Sequence, residues 1–165
     1  MKGANGSRAE TDVTATVDIQ NVSEDPCPGS EQFIRWVTAA LEGSRAEVSL
    51  RIVDEEEMAE LNQRFRHRQG TTNVLSFPFE APAGTTNDFL GDIVMCAPVV
   101  RSEALEQGKS EEAHWAHMTV HGVLHLRGYD HLTAEEAEEM ETLERRILSA
   151  MGYQDPYLLE EISQS

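Results

Sequence analysis

Apolar and polar side chains alternate with a period of two along segments 13–20 and 47–53, a pattern typical of strands that bury one face. Segment 73–77 predicts a third, shorter strand that ends at Pro78, because proline cannot donate a hydrogen bond to a neighbouring strand. An apolar run over 89–96 predicts a fourth. We therefore expect a sheet of about four strands.

Apolar residues recur three and four positions apart in five other segments, which predicts about five helices. These are expected to begin at Ser30, Asp54, Pro98, Ser110 and Thr133 and to run as far as Leu41, Phe65, Gln107, Leu126 and Met151. Serine, aspartate and threonine are favoured as N-caps because their side chains accept a hydrogen bond from a free backbone amide. Glu136 completes a capping box at the last helix.

The chain shows no internal repeat and no second hydrophobic core, so we expect one α+β domain over residues 13–152. Residues 1–12 are small and polar and predict a flexible N-terminus, and residues 153–165 form a C-terminal tail. No apolar run of about 18 residues or secretory signal is present, which predicts no membrane association and a cytoplasmic location. Cys27 and Cys96 fit idle thiols in a reducing compartment.

The balance of charge first argues against a nucleic-acid ligand. The sequence has 13 lysines and arginines against 30 aspartates and glutamates, a net charge of −17 that repels nucleic acid at long range. Locally the balance reverses, because segment 64–68 holds three arginines in five residues. Arg66 and Arg68 can be read equally as phosphate-binding residues or as surface arginines near a helix end. His67, between them, is expected to face solvent.

Three histidines near residue 125 have the spacing of a metal site. His121 and His125 lie one helical turn apart, so both imidazoles can point at one ion. Gly128 is where such a helix would end, since glycine readily adopts the left-handed conformation, and the turn can return His131 to the same point. Three imidazoles leave a fourth position for water, which is the arrangement of catalytic zinc. A zinc ion lowers the pKa of bound water to about 7.

The spacing matches the metalloprotease pattern H-E-x-x-H-x-x-G-x-x-H except at one position, where Gly122 replaces the glutamate that acts as general base. Metal binding is therefore favoured and protease activity is not. His117 also lies four residues before His121, but this rival pair has no third ligand, so we expect His117 to pack or to support the ligands. His114 is expected to be exposed.

These residues, together with three further motifs, resemble the bacterial YbeY family. The matching segments are Leu61-Asn62-Gln63-Arg64-Phe65-Arg66, Thr72-Asn73-Val74-Leu75-Ser76-Phe77-Pro78, Leu90-Gly91-Asp92-Ile93-Val94 and the histidine motif of residues 121–131. The resemblance implies a zincin-like fold and a zinc-dependent, single-strand-specific endoribonuclease. It further implies a role in ribosomal RNA maturation, notably at the 3′ end of the small-subunit RNA, and in ribosome quality control, with the ribosome or its proteins as partners.

Carried over by position, the resemblance implies that His121, His125 and His131 bind one Zn2+ and that Arg66 is the functional arginine. Asp92 matches an acidic position, and is either a substrate contact or structural. Arg68 stands where many family members have lysine, which keeps the charge but changes its geometry.

Two other functions stay open from the sequence. One is a zinc peptidase or amidase, against which Gly122 argues. The other is a non-catalytic ribosome assembly factor in which zinc is structural, with Asp130 as a possible fourth ligand. Asp130 could instead orient an imidazole. The sequence assigns no general base.

Overall fold

The computed structural model describes residues 15–85 and 87–158. The predicted flexible N-terminus, residues 1–12, lies outside the described residues, as do the first two positions of the first predicted strand and the end of the predicted tail, 159–165.

The four strands of the described chain form one mixed sheet in the spatial order β1-β2-β4-β3. Their bounds are Ala15–Asn21 for β1, Ala46–Val53 for β2, Val74–Pro78 for β3 and Phe89–Cys96 for β4. The first two pair in parallel, β2 pairs in parallel with β4, and β3 runs antiparallel to β4 at the edge. The predicted four-stranded mixed sheet is confirmed, and Pro78 takes the last position of an edge strand, where its missing donor costs little.

Within residues 15–85 and 87–158 there are five helices, the number predicted, and they cover both faces of this sheet. Their bounds are Ser30–Leu41 for α1, Glu55–Arg66 for α2, Ala97–Gln107 for α3, Glu111–Leu126 for α4 and Ala134–Ala150 for α5. The larger core joins α1, α4 and α5 to one face of the sheet, with Trp36 and Trp115 fully enclosed. A smaller core packs Met58 of α2 against Val94 and Cys96 on the other face. Helix α4 is thus a central element, buried along most of its length.

The helix caps follow the prediction at the end of the chain more closely than at its start. Thr133 and Glu136 form the reciprocal capping box, with both hydrogen bonds at 3.1 Å. Ser110 accepts a bond of 3.0 Å from the backbone amide of α4 as expected. The N-cap of α1 is Gly29 and not Ser30, which lies inside the helix. Asp54 holds the N-cap position of α2, but its carboxylate accepts hydrogen bonds from residues 23 and 24 instead of from its own helix.

The segment after α5 folds back onto the domain. Tyr153 accepts a hydrogen bond of 3.0 Å from the indole nitrogen of Trp36. Cys27 and Cys96 are free thiols, and burial raises the pKa of both. In the described part of the chain no helix is long and apolar enough to span a membrane.

Candidate metal centre

One ring nitrogen from each of His121, His125 and His131 lies within 4.8 Å of the other two. The Nε2 atoms of His121 and His125 are 3.2 Å apart. Two nitrogens bound at 2.0–2.1 Å to a tetrahedral ion would be separated by about 3.3 Å, so this pair has the spacing that a shared ion requires. The three imidazoles form a donor set that could hold one metal ion.

The turn after α4 brings the third histidine to the other two. Helix α4 ends at Leu126, and Gly128 adopts a left-handed φ of 102°. An added Cβ there would meet nothing within 4 Å, so the backbone conformation and not crowding explains the glycine. His131 then lies on the exposed side of the cluster, while His121 and His125 are half-buried. The predicted glycine turn is confirmed.

A carboxylate that the sequence analysis missed lies directly behind this cluster. Glu144 of α5 is fully buried, and its Oε2 accepts a hydrogen bond of 2.6 Å from Nδ1 of His121. This bond places the proton of His121 on Nδ1 and leaves the lone pair of Nε2 facing the cluster. A signal for it existed in the sequence, because Glu144 lies four residues after Met140 and three before Ile147 and so falls on the buried face of α5.

The other oxygen of Glu144, Oε1, has two further donors. Nε2 of His117 lies 3.2 Å away, and the hydroxyl of Tyr157 makes a very short hydrogen bond to the same oxygen. Burial alone would raise the pKa of Glu144, but the hydrogen bonds from His117 and His121 outweigh it and hold this pKa far below its usual range. Burial and the Glu144 charge together raise the pKa of Tyr157. The group is therefore a buried carboxylate with all its partners on protein side chains.

Of the remaining three histidines, two lie as expected and one does not. His117 supports the ligands through Glu144, as expected, and burial lowers its pKa. His114, expected to be exposed, is only 2% exposed, and its Nε2 lies 2.9 Å from a carboxylate oxygen of Glu103. The expectation was wrong because that partner comes from α3, which packs beside α4. His67 is exposed, as expected, at the C-cap of α2.

A cleft of about 630 Å³ opens in front of the cluster. Its walls are residues of β3 and the segment before it, the turn after α4, and Arg66 at the end of α2. Arg66 is exposed, and its guanidinium lies 3.4 Å from the side-chain oxygen of Asn62, which is buried and donates to the backbone of Gly70. The structure thus places Arg66 in the wall of the cleft that the three histidines also line.

The other two candidate substrate residues lie elsewhere. Arg68 is exposed but does not line the cleft. Asp92 is exposed on β4, where its register partner Phe77 packs against Phe65 of α2. The next residue, Ile93, faces α4, so Asp92 lies on the sheet face opposite the histidines.

Asp130 has neither of the roles considered for it. One of its carboxylate oxygens accepts a hydrogen bond of 2.8 Å from the backbone amide of His131, which stabilises the turn. Among residues 15–85 and 87–158, no carboxylate joins the three imidazoles as a possible ligand. The carboxylate that orients an imidazole is Glu144 instead.

The fold and the cluster define the chain as an α+β protein with a candidate metal centre of three histidines beside an open cleft. The family model described as endoribonuclease YbeY matches residues 18–152. A relative named endoribonuclease YbeY from Methylococcus capsulatus is 57% identical over 139 residues, which cover 84% of this chain and 93% of the relative. A second relative of the same name, from Nitrosococcus oceani, is 52% identical over 150 residues, which cover 88% of this chain and 98% of the relative.

A solved structure has a similar fold. The solution structure of TM1509 from Thermotoga maritima matches with a TM-score of 0.54 and 26% identity, over 86% of this chain and 98% of that one. The chain belongs to the YbeY endoribonuclease family, as its motifs predicted. Membership supports endoribonuclease activity, which is a hydrolysis.

Proposed function

We propose that the chain is a zinc-dependent, single-strand-specific endoribonuclease in the cytoplasm. In this proposal it matures ribosomal RNA, notably the 3′ end of the small-subunit RNA, and takes part in ribosome quality control. The observation that carries the proposal is that one cleft holds three convergent imidazoles together with Arg66. The ribosomal role rests on the motifs shared with the family.

The donor set supports zinc as the ion. Three imidazoles within 4.8 Å of one another match the nitrogen ligands of catalytic zinc sites. Burial and the neighbouring rings of His121 and His131 lower the pKa of His125, which keeps this ligand neutral and able to bind at neutral pH. When bound, zinc would supply the Lewis acidity that makes water nucleophilic near neutral pH and polarises a phosphoryl oxygen.

Arg66 is the proposed phosphate-binding residue. A phosphodiester under attack gains negative charge, and a guanidinium stabilises it through paired, charge-assisted hydrogen bonds. The amide of Asn62, fixed by its bond of 3.0 Å to the backbone of Gly70, limits where the Arg66 side chain can point. Arg68 is proposed as a further contact to the RNA backbone outside the cleft. Asp92 is proposed as a contact to RNA outside the cleft, since it lies on the other face of the sheet.

The geometry argues against the two alternative functions. A peptidase would need a glutamate at position 122, yet a Cβ there would lie 3.1 Å from Cγ2 of Ile93 and 3.3 Å from Oγ of Ser76. A side chain at this position therefore points between α4 and the sheet. A purely structural metal is usually enclosed by four protein ligands. This cluster has three and opens to a cleft.

The test combines metal analysis of the purified protein with cleavage of a labelled single-stranded RNA and of the same RNA annealed to its complement. We expect bound zinc, cleavage of the single strand alone, loss of cleavage with a chelator and recovery on adding zinc. Peptide hydrolysis without RNA cleavage would favour the peptidase. Normal maturation of small-subunit RNA in cells carrying only a folded His125→Ala protein would favour the assembly factor.

A further inference from the structure

The hydrogen bonds behind the metal ligands continue beyond the domain that the family model covers. Glu144 receives its short bond from the hydroxyl of Tyr157, and Tyr157 lies after residue 152, where the match to the family model ends. The contacts run from Tyr157 to the buried Glu144 and from Glu144 to His121, which lines the cleft. We propose that Tyr157 and Glu144 act together as positioning residues that fix the metal-facing orientation of His121. This inference deepens the proposed function and rests on its metal site.

The two carboxylate oxygens of Glu144 accept hydrogen bonds from different partners. Oε1 is shared by the Tyr157 hydroxyl and Nε2 of His117, which lies 3.3 Å from that hydroxyl as well. Oε2 is left for Nδ1 of His121 at 2.6 Å. Because two donors hold the first oxygen, the carboxylate cannot rotate without breaking both bonds. The second oxygen is thereby held in line with His121.

His117 cannot replace Tyr157 in this arrangement. Its Nδ1 is buried and has no hydrogen-bond partner within the described residues. Burying a ring nitrogen without a partner costs less free energy when that nitrogen carries no proton. Nε2 faces a carboxylate, which accepts a hydrogen bond, so the proton of His117 lies on Nε2. One bond from His117 would still let the carboxylate pivot about it. The hydroxyl of Tyr157 supplies the second bond that stops the pivot.

Tyr157 is itself held in place by its own segment. The carboxylate of Asp155 accepts a hydrogen bond of 2.8 Å from the backbone amide of Tyr157 and pairs with the guanidinium of Arg145 at 3.2 Å. The same guanidinium lies 5.1 Å from the centre of the Tyr157 ring, which is a cation–π distance. These contacts hold the hydroxyl of Tyr157 beside Glu144.

The experiment compares Tyr157→Phe with Tyr153→Phe in the full chain. Tyr153 lies in the same segment, but its hydroxyl contacts Trp36 and Glu112 and does not reach Glu144, so it is the matched control. Two measurements are made: zinc affinity by competition with a chromophoric chelator, and the tautomer of His121 from its ring 15N shifts in the metal-free protein. The second reports on orientation without any metal or activity.

We expect Tyr157→Phe to weaken zinc binding on the order of tenfold and to mix the two His121 tautomers, while Tyr153→Phe changes neither. Glu144→Gln should weaken zinc binding further. Unchanged affinity and tautomer in Tyr157→Phe would overturn the inference, and so would equal losses in both tyrosine variants, since these would mean that docking of the segment matters and the hydroxyl does not.

The outcomes also separate this inference from the proposed function. A wild-type protein that binds no zinc and cleaves no RNA would refute the proposed function, yet the tautomer measurement would still test the hydrogen bonds. A wild-type protein that binds zinc and cleaves RNA, together with a Tyr157→Phe protein of equal affinity and unchanged tautomer, would refute only the positioning role.

Discussion

Gly122 of α4 lies so close to Ile93 of β4 that an added Cβ would be 3.1 Å and 3.2 Å from the two terminal carbons of that side chain. The hydroxyl of Ser76 closes the same space and donates a hydrogen bond of 3.2 Å to the carbonyl of Gly122. Helix α4 therefore packs directly onto the sheet at position 122, where the metalloprotease pattern has its catalytic glutamate.

Restoring that glutamate should damage the fold without creating a protease. We expect Gly122→Glu to destabilise the protein by at least about 1–3 kcal/mol, because it overpacks the contact with Ile93 and buries a carboxylate. Urea unfolding measures the loss, and a fluorogenic peptide assay with zinc present measures the activity. A stable Gly122→Glu protein that hydrolyses peptides would contradict our account of this position.

Removing Arg66 should affect RNA cleavage and spare metal binding. We expect Arg66→Ala to lower the cleavage rate about 100-fold, as loss of a single charge-stabilising donor does in other enzymes, with unchanged zinc content. Arg66→Lys should recover only part of the rate, since an ammonium does not form the paired bonds of a guanidinium. Arg64→Ala is the control, because Arg64 belongs to the same helix but pairs with Glu60 and does not line the cleft. Equal rates for the Arg66 and Arg64 variants would remove Arg66 from the mechanism.

Zinc should raise the melting temperature through the three histidines. A ligand present at 100 times its dissociation constant adds about 2.7 kcal/mol to the stability of the folded state. For a domain of this size that corresponds to a rise of about 5–10 °C. Differential scanning fluorimetry should show this rise for the wild type and for His67→Ala, whose histidine is exposed outside the cluster, and should show little of it for His125→Ala. A full zinc response in His125→Ala would mean that the ion binds elsewhere.

The pair of Glu103 and His114 should contribute to resistance against acid. Burial alone would raise the pKa of Glu103, but hydrogen bonds from His114 and Asn73 outweigh it and hold this pKa below its ordinary value of 4.5. A carboxyl whose pKa is lower in the folded state than in the unfolded state stabilises the protein fully at a pH above its unfolded-state pKa. This stabilisation is lost as the pH falls through the folded-state pKa. The difference in melting temperature between wild type and Glu103→Gln should therefore shrink as the pH falls below about pH 4.5. A difference in melting temperature that grows below pH 4.5 would contradict the lowered pKa of Glu103.

Periodicity and spacing along the chain were enough to predict the sheet, the helices and the convergence of the three histidines. His121 and His125 share one helix and His131 follows by a short turn, so their convergence is a local property that needs no knowledge of packing. The caps at Ser110 and Thr133 were predictable for the same reason, because each depends on residues at most three positions away.

The features that escaped prediction depend on contacts between distant segments. Glu144 meets His121 from a different helix, and His114 finds its partner on α3. The packing of α5 and α3 against α4 decides both contacts, and no local pattern encodes it. The sheet face on which Asp92 lies likewise depends on how β4 packs against α4.

The three imidazoles do not have equal freedom, because two of them extend from a helix locked inside the protein and the third from a solvent-exposed bend. An ion held by this cluster would therefore be open to solvent on the side of His131, while the buried helix α4 holds His121 and His125. A chelator in solution would therefore meet such an ion first on the side of His131.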